Sequence, residues 1–127
     1  MNHTRLLIVD DNEDGADTLG IALRASGFDV DVAYDGPSAL SLATARPPHI
    51  ALIDLGLPVM DGIELARRLR ALRADTTLVA ITGYAQREDQ ERTRAAGFAQ
   101  HLRKPVDLGE LFALLDALGA GAGAHRD

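Results

Sequence analysis

The chain has no cysteine and no tryptophan, and lysine is almost absent: Lys104 stands alone against 12 arginines. Without cysteine there is no disulfide framework, no thiol nucleophile and no thiolate metal site. No apolar run approaches the roughly 18 residues that span a bilayer, so no transmembrane helix is expected. The opening MNHTRLLIVDD lacks the basic, apolar and small-residue regions of a signal peptide. Excess positive charge is missing too. The formal net charge of -6 argues against binding by phosphate neutralisation, and so against nucleic acid as a partner. What remains is 127 residues, 46% hydrophobic and 25% charged. That composition excludes disorder along the whole length and predicts one soluble, cytoplasmic domain with no membrane partner.

Apolar runs and amphipathic stretches alternate five times. Leu6–Val9, Ile50–Ile53 and Leu78–Ile81 are short, continuous and apolar, as strands covered on both faces require. Asp29–Ala33 alternates and Gln100–Arg103 is mostly polar, which predicts two less-covered edge strands. Between them, Asn12–Ser26 carries Ala16, Leu19, Ala22 and Leu23 on one face and stops at Gly27. Pro37–Ala45 opens with proline at the first helical position. Gly62–Leu72 aligns Leu65, Ala66, Leu69 and Leu72, and Asp107–Leu118 aligns Leu108, Leu111, Phe112, Leu115 and Leu118. The pattern is α/β, a (βα)5 doubly wound fold with a five-stranded parallel sheet. Three interior and two edge strands give the flavodoxin-like order 2-1-3-4-5. Right-handed crossovers put the first and fifth helices on one face and the other three on the opposite face. The domain is expected to span residues 1–118, with a frayed Gly/Ala-rich tail over 119–127.

The stretch Gln86–Ala96 differs from the other helices. It has no large apolar residue and rests on Glu88–Arg92 and Arg87–Glu91 pairs, each worth about 0.2–0.5 kcal/mol. It is either a helix that shifts at low cost or a plain solvated one.

Ligands of such folds bind beyond the C-terminal strand ends. Asp10 and Asp11 follow the first strand, Asp54 the third, Thr82 the fourth, and Lys104–Pro105 the fifth. Each has a plain alternative: Asp11 or Asn12 as a helix cap, Thr82 as a turn residue, Lys-Pro as a surface turn. Together they form a site. Three converging carboxylates repel one another, and a hard cation such as Mg²⁺, which takes carboxylate oxygens, resolves that repulsion. Lys104 offers a point charge to a phosphate oxygen and Thr82 a hydroxyl donor. Asp54, on the central strand and facing the Asp pair, is the best-placed nucleophile for in-line phosphoryl transfer.

The segments LLIVDDNED, IALIDLGLPVMDGIELARRLR, VAITGYA and AAGFAQHLRKPV resemble a response-regulator receiver domain over about Arg5 to Leu118. The spacing Asp54-x-x-Leu57-Pro58-x-Met60-Asp61-Gly62 is particularly specific. The resemblance implies a phosphoprotein of a two-component phosphorelay. Asp54 would accept a phosphoryl group from a histidine kinase or a histidine phosphotransfer protein. Asp11 would ligate Mg²⁺ directly and Asp10 largely through water, joined by Asp54 and the Gly56 carbonyl. Thr82 and Lys104 would bind phosphoryl oxygens, with the Lys104–Pro105 peptide cis. The chain would then catalyse only its own phosphorylation and dephosphorylation. It would switch the face of the fourth helix, fifth strand and fifth helix to control a partner protein. A phosphorylation-linked homodimer is left open, as is origin in a hybrid histidine kinase.

Three positions depart from the family pattern or tune it. His101 occupies the switch position, where the family usually has Tyr or Phe, and adds a titratable ring. Gly56 has no side chain to steer water, and Tyr84 is bulky enough to shield the phosphoryl group. Both are expected to set the dephosphorylation rate. An aspartyl-intermediate phosphatase of the haloacid dehalogenase type would need an Asp where Gly56 stands. A flavin phosphate would be repelled by the acidic run from Asp10 to Asp14. His3, His49 and His125 lack metal-ligand spacing and read as surface residues. Arg67, Arg68, Arg70 and Arg73 read as a solvated helix face, and Leu114 as core rather than partner surface.

Overall fold

The computed structural model describes residues 4–57, 60–83 and 93–119. Five strands, β1 (Arg5–Val9), β2 (Asp29–Ala33), β3 (Ile50–Asp54), β4 (Thr77–Thr82) and β5 (Phe98–Arg103), pair in parallel in the order β2-β1-β3-β4-β5. Between and after them lie α1 (Glu13–Ala25), α2 (Gly36–Ala45), α3 (Gly62–Leu72), helical residues 93–96 as α4, and α5 (Leu108–Ala117). Among the described residues no helix is long and apolar enough to cross a membrane.

Strand composition and burial agree. Every residue of β3 is buried, whereas β2 and β5 keep exposed positions, as their polar alternation requires. Successive strand residues point to opposite faces, so each strand feeds two cores. Leu7, Val9, Ile53 and Ala80 pack with α2 and α3 on one side. Ile8, Leu52, Val79 and Ile81 pack with α1 and α5 on the other. Handedness of the crossovers dictates this division. On the β2 edge, Arg46 pairs with Asp29 and lies 3.6 Å from Asp31.

The four helix starts among the described residues share one device. Asn12, Asp35, Asp61 and Asp107 each accept a hydrogen bond from the backbone N–H three residues on. That satisfies a donor which the first helical turn leaves without a partner. Asp35 consequently takes the position before Gly36, and Pro37 is the second helical residue rather than the first. Two apolar positions assigned to buried stripes are exposed instead: Leu72 at the end of α3 and Leu108 at the start of α5. Each sits on a terminal turn of its helix. Ile63, in the first turn of α3, is buried in the α2–α3 core, and Leu114 packs partly buried against the α1–α5 core.

Residues 84–92 and 120–127 lie outside the described residues, and with them Tyr84, most of the Gln86–Ala96 stretch and its ion pairs, most of the tail, and His125. His3 and Pro58 lie outside them too.

Candidate functional site

The parallel ladders run one residue past the strand ends, and those last hydrogen bonds place the site. Asp10 N–H donates to Ala33 O at 3.1 Å, Leu55 N–H to Ile81 O at 3.0 Å, and Lys104 N–H to Thr82 O at 2.7 Å. Asp10, Asp54, Thr82 and Lys104 are thus held by sheet backbone rather than by mobile loops, so their spacing is as rigid as the ladder.

Carboxylate oxygens of Asp10, Asp11 and Asp54 all lie within 4.8 Å of one another. Asp10 and Asp54 are buried and Asp11 is exposed. Asn12, not Asp11, caps α1 through Gly15 N–H at 3.2 Å, which leaves the Asp11 carboxylate to the cluster. The Lys104 ammonium bridges the two buried acids, 3.1 Å from Asp54 and 3.2 Å from Asp10. Asp54 also accepts from Gly56 N–H at 2.9 Å, and Asp10 from Asn12 N–H at 3.0 Å. Burial, joined by the Asp54 charge, pushes the Asp10 carboxyl above its ordinary value against the lowering pull of the Asn12 and Lys104 hydrogen bonds. Burial works against the Lys104 ammonium as well, but the hydrogen bonds it donates to Asp54 and Asp10, with the charges of those carboxylates, outweigh it and hold its pKa up.

A set of three close carboxylates, all oxygen donors and two of them buried, suits a small hard cation. One lysine cannot neutralise three acids, so the cluster retains net negative charge that a divalent ion would offset.

The tight return of the chain after Asp54 depends on Gly62. A Cβ there would lie 2.8 Å from Leu55 Cα and 2.9 Å from Asp54 O. Gly62 N–H donates to Leu55 O at 3.4 Å as Asp61 caps α3. At Gly56 the opposite holds: among the described residues a Cβ would meet only an Asp54 carboxylate oxygen, at 3.6 Å. Beside the cluster an apolar-walled hollow of about 670 Å³ is lined by Ile8, Asp10, Asn12, Leu19, Lys104 and Leu108.

Of the other positions singled out from sequence, Thr82 ends β4 half-buried, opposite Arg103 in register. Pro105 is exposed and follows Lys104 through a cis peptide bond. His101 is not in the cluster: its Nε2 lies 2.6 Å from the Thr93 hydroxyl. Sequence reasoning missed Thr93, which is fully buried and sat in a stretch with no apolar stripe to mark an inward face. It also misjudged His49. That ring is half-buried, and its Nδ1 accepts from Arg5 N–H at 2.9 Å. Of the arginine run on α3, Arg68 pairs with Glu64 at 2.8 Å and Arg73 with Asp75 at 2.6 Å. Those two belong to a solvated face, while the Arg70 stem lies across Gly97.

A family model described as the response regulator receiver domain matches residues 6–116. An uncharacterized 14.6 kDa protein of Leptolyngbya boryana is 40% identical over 112 residues, 87% of this chain and 86% of that protein. The transcriptional regulatory protein PrrA of Mycobacterium leprae is 37% identical over 94% of this chain and 52% of its own length. The chain thus spans about half of that relative. Among solved structures, a CheY-like response regulator receiver domain protein from Methanospirillum hungatei superposes with a TM-score of 0.86 at 30% identity. That match covers 91% of this chain and 92% of the other. A Burkholderia pseudomallei response regulator, solved with a phosphorylated aspartic acid, calcium ion and citrate, gives 0.81 at 31% identity. It is matched over 87% of this chain and 65% of that one.

Proposed function

Because the chain belongs to the response regulator receiver domain family of two-component signalling, we propose that Asp54 is its phosphoacceptor. The observation that carries this reading is the Lys104 ammonium set between the buried Asp54 and Asp10 carboxylates at 3.1 and 3.2 Å. A cation held at that point by the sheet would meet an anionic group arriving on Asp54 without prior rearrangement. The solved relative with a phosphorylated aspartic acid and a bound calcium ion is consistent with the same chemistry.

The donor is a phosphohistidine of a histidine kinase or a histidine phosphotransfer protein. An Asp54 carboxylate oxygen attacks phosphorus and forms an O–P bond. The histidine N–P bond breaks, and its electron pair leaves with the ring nitrogen. Lys104 holds a phosphoryl oxygen by charge, and the Thr82 hydroxyl donates to another. Asp10, Asp11, Asp54 and the Gly56 carbonyl would hold Mg²⁺, whose charge offsets repulsion between the carboxylates and the incoming phosphate. The hollow beside Lys104 gives the donor room to approach. Hydrolysis of the acyl phosphate resets the site, at a rate set by the residue types at Gly56 and Tyr84.

The consequence is a switch. Thr82 ends β4 beside β5, so its movement towards a phosphoryl group repositions the α4–β5–α5 face. A downstream protein then reads that face, in the cytoplasm. Residues 1–118 form the switching domain and 119–127 a tail outside it.

The test is intact-protein mass after incubation with a small-molecule phosphodonor, with and without Mg²⁺, for wild type and Asp54→Asn. The expected result is one Mg²⁺-dependent phosphoryl adduct in the wild type and none in a folded variant. Equal incorporation in Asp54→Asn would overturn the assignment.

A further inference from the structure

We infer that the outer edge of β2 and the Asp17–Ile21–Arg24 stripe of α1 form a docking surface for a second copy of this chain, paired antiparallel about a twofold axis at Val32. β2 ends the sheet order, and the ladder shows which of its groups face outward. Asp29 N–H donates to Thr4 O at 3.1 Å, and Ala33 O accepts from Asp10 N–H at 3.1 Å. Alternate residues 29, 31 and 33 therefore turn their backbone groups towards β1, and Val30 and Val32 turn theirs away. Arg24 Nη2 donates to Val30 O at 2.8 Å from outside the sheet, as that alternation requires. Val32 presents the next pair of strand groups, a template for another strand. Apolar surface lies beside it. Ile21 is 65% exposed, the most of any large hydrophobic side chain among the described residues. A hollow of about 540 Å³ runs over the edge, from Ile21 and Arg24 of α1 past Val32 to Leu42 of α2.

The order of charges selects the occupant. Asp17, Ile21 and Arg24 share one face of α1, at spacings of four and three residues. Asp17 accepts from the Tyr34 hydroxyl just past the end of β2, whereas Arg24 sits at Val30 near its start. Along the edge the stripe thus reads acid, apolar, cation. A twofold axis at Val32 reverses that order in the second copy. Asp17 then meets the second copy's Arg24, Ile21 meets its Ile21, and the two Val32 residues exchange backbone hydrogen bonds. The surface is complementary to itself. On the α2 side Asp31 comes opposite Ala33 of the second copy. Asp29 and Asp31 bring Arg46 with them as a counter-charge, which offsets the acidity of that side. One short strand and two helix flanks make a small interface, so the dimer is weak and concentration-dependent. It uses neither the acid cluster nor the α4–β5–α5 face, and requires nothing of the chemistry at Asp54.

The test uses the full chain, unphosphorylated and without a phosphodonor. Sedimentation is followed from about 10 μM to about 1 mM, with amide exchange at Val32 measured at both ends of that range. The expected result is a mass that rises from monomer towards dimer, with protection of the Val32 N–H rising alongside. Ile21→Glu should raise the dissociation constant about tenfold or more, through lost apolar burial. Asp17→Arg and Arg24→Asp, each checked for folding by circular dichroism, should each stay monomeric, because each sets like charges across the axis. Mixing those two variants should restore a dimer, since unlike charges again oppose at both ends. Should either charge variant fail to fold, the wild-type and Ile21→Glu results decide alone. A wild type that is monomeric at the highest concentration would overturn the inference. So would a dimer whose Val32 exchange is independent of concentration, or a mixture of folded charge variants that stays monomeric.

Discussion

Lys104 lies within 3.3 Å of both Asp54 and Asp10, although 50 and 94 residues separate it from them in the chain. The lysine and a divalent cation would be drawn to the same oxygens, so the lysine partly neutralises the cluster and competes for it. That competition gives the first prediction. Lys104→Met should bind Mg²⁺ several-fold more tightly than wild type by calorimetric titration. It should also lose about 1–2 kcal/mol of stability in metal-free buffer, because two buried carboxylates lose their counter-charge. Weaker Mg²⁺ binding in the variant would show that Lys104 organises the acids rather than competing for them.

Asp10→Asn should act in the reverse sense. The Asp10 carboxyl is buried, and burial is the main cause of its raised pKa. The folded state therefore takes up a proton more readily than the unfolded chain, and this group's contribution to stability grows as pH falls towards its ordinary 3.8. An uncharged amide keeps an oxygen for Asn12 N–H and Lys104 and removes the desolvation cost. The variant should be about 1 kcal/mol more stable at pH 7 without metal, and should bind Mg²⁺ more weakly. Urea unfolding with and without Mg²⁺ separates the two effects. A destabilised metal-free variant would contradict the burial argument.

These relationships mark what the sequence could disclose. Strand order was legible because burial on two faces leaves a continuous apolar run, as in IALID, and burial on one leaves alternation, as in DVDVA. The grouping of Asp10, Asp11, Asp54 and Lys104 was legible because parallel strands of one doubly wound sheet end on the same side. What the sequence concealed were contacts between elements that carry no periodic signal. Thr93 meets His101, Arg5 meets His49, and the Arg70 stem crosses Gly97. Each depends on how two elements approach, not on either alone. Terminal turns misled too, since Leu72 and Leu108 keep the spacing of the helical stripe and are nevertheless exposed.

Gly62 and Gly109 make a paired test of backbone approach. At Gly62 a methyl group would press on the Leu55 and Asp54 backbone at 2.8–2.9 Å, which cannot rotate away. Gly62→Ala should cost about 1–3 kcal/mol and, by shifting the loop after Asp54, reduce phosphoryl incorporation. At Gly109 in α5 the nearest atoms are the Asp107 carboxylate oxygens at 3.5 and 3.9 Å. Gly109→Ala should therefore gain about 0.5–1 kcal/mol from reduced chain entropy. Urea midpoints of the two variants should move in opposite directions. A Gly62→Ala midpoint at or above that of the wild type would refute the steric reading of Gly62.

His49 predicts how the fold itself responds to acid. Its Nδ1 accepts the Arg5 N–H at 2.9 Å, its own N–H donates to Arg5 O, and its carbonyl accepts from Thr77 N–H. The residue thus joins the starts of β1, β3 and β4, and its ring must stay unprotonated at Nδ1 to do so. Burial first, then the charges of Arg5 and Arg73, hold its pKa below the ordinary 6.5. With the folded pKa depressed, the unfolded chain binds the proton more readily. The stability His49 contributes is complete above about pH 6.5 and is lost as pH falls below that value. Asparagine offers a carbonyl oxygen close to where Nδ1 stands and does not titrate, so His49→Asn should match the wild type near pH 8. Towards pH 5 the wild type should lose more stability than the variant, read from urea midpoints in parallel series. Parallel curves for the two proteins across that range would mean that His49 stays neutral for another reason, or that its acceptor role adds nothing to the fold.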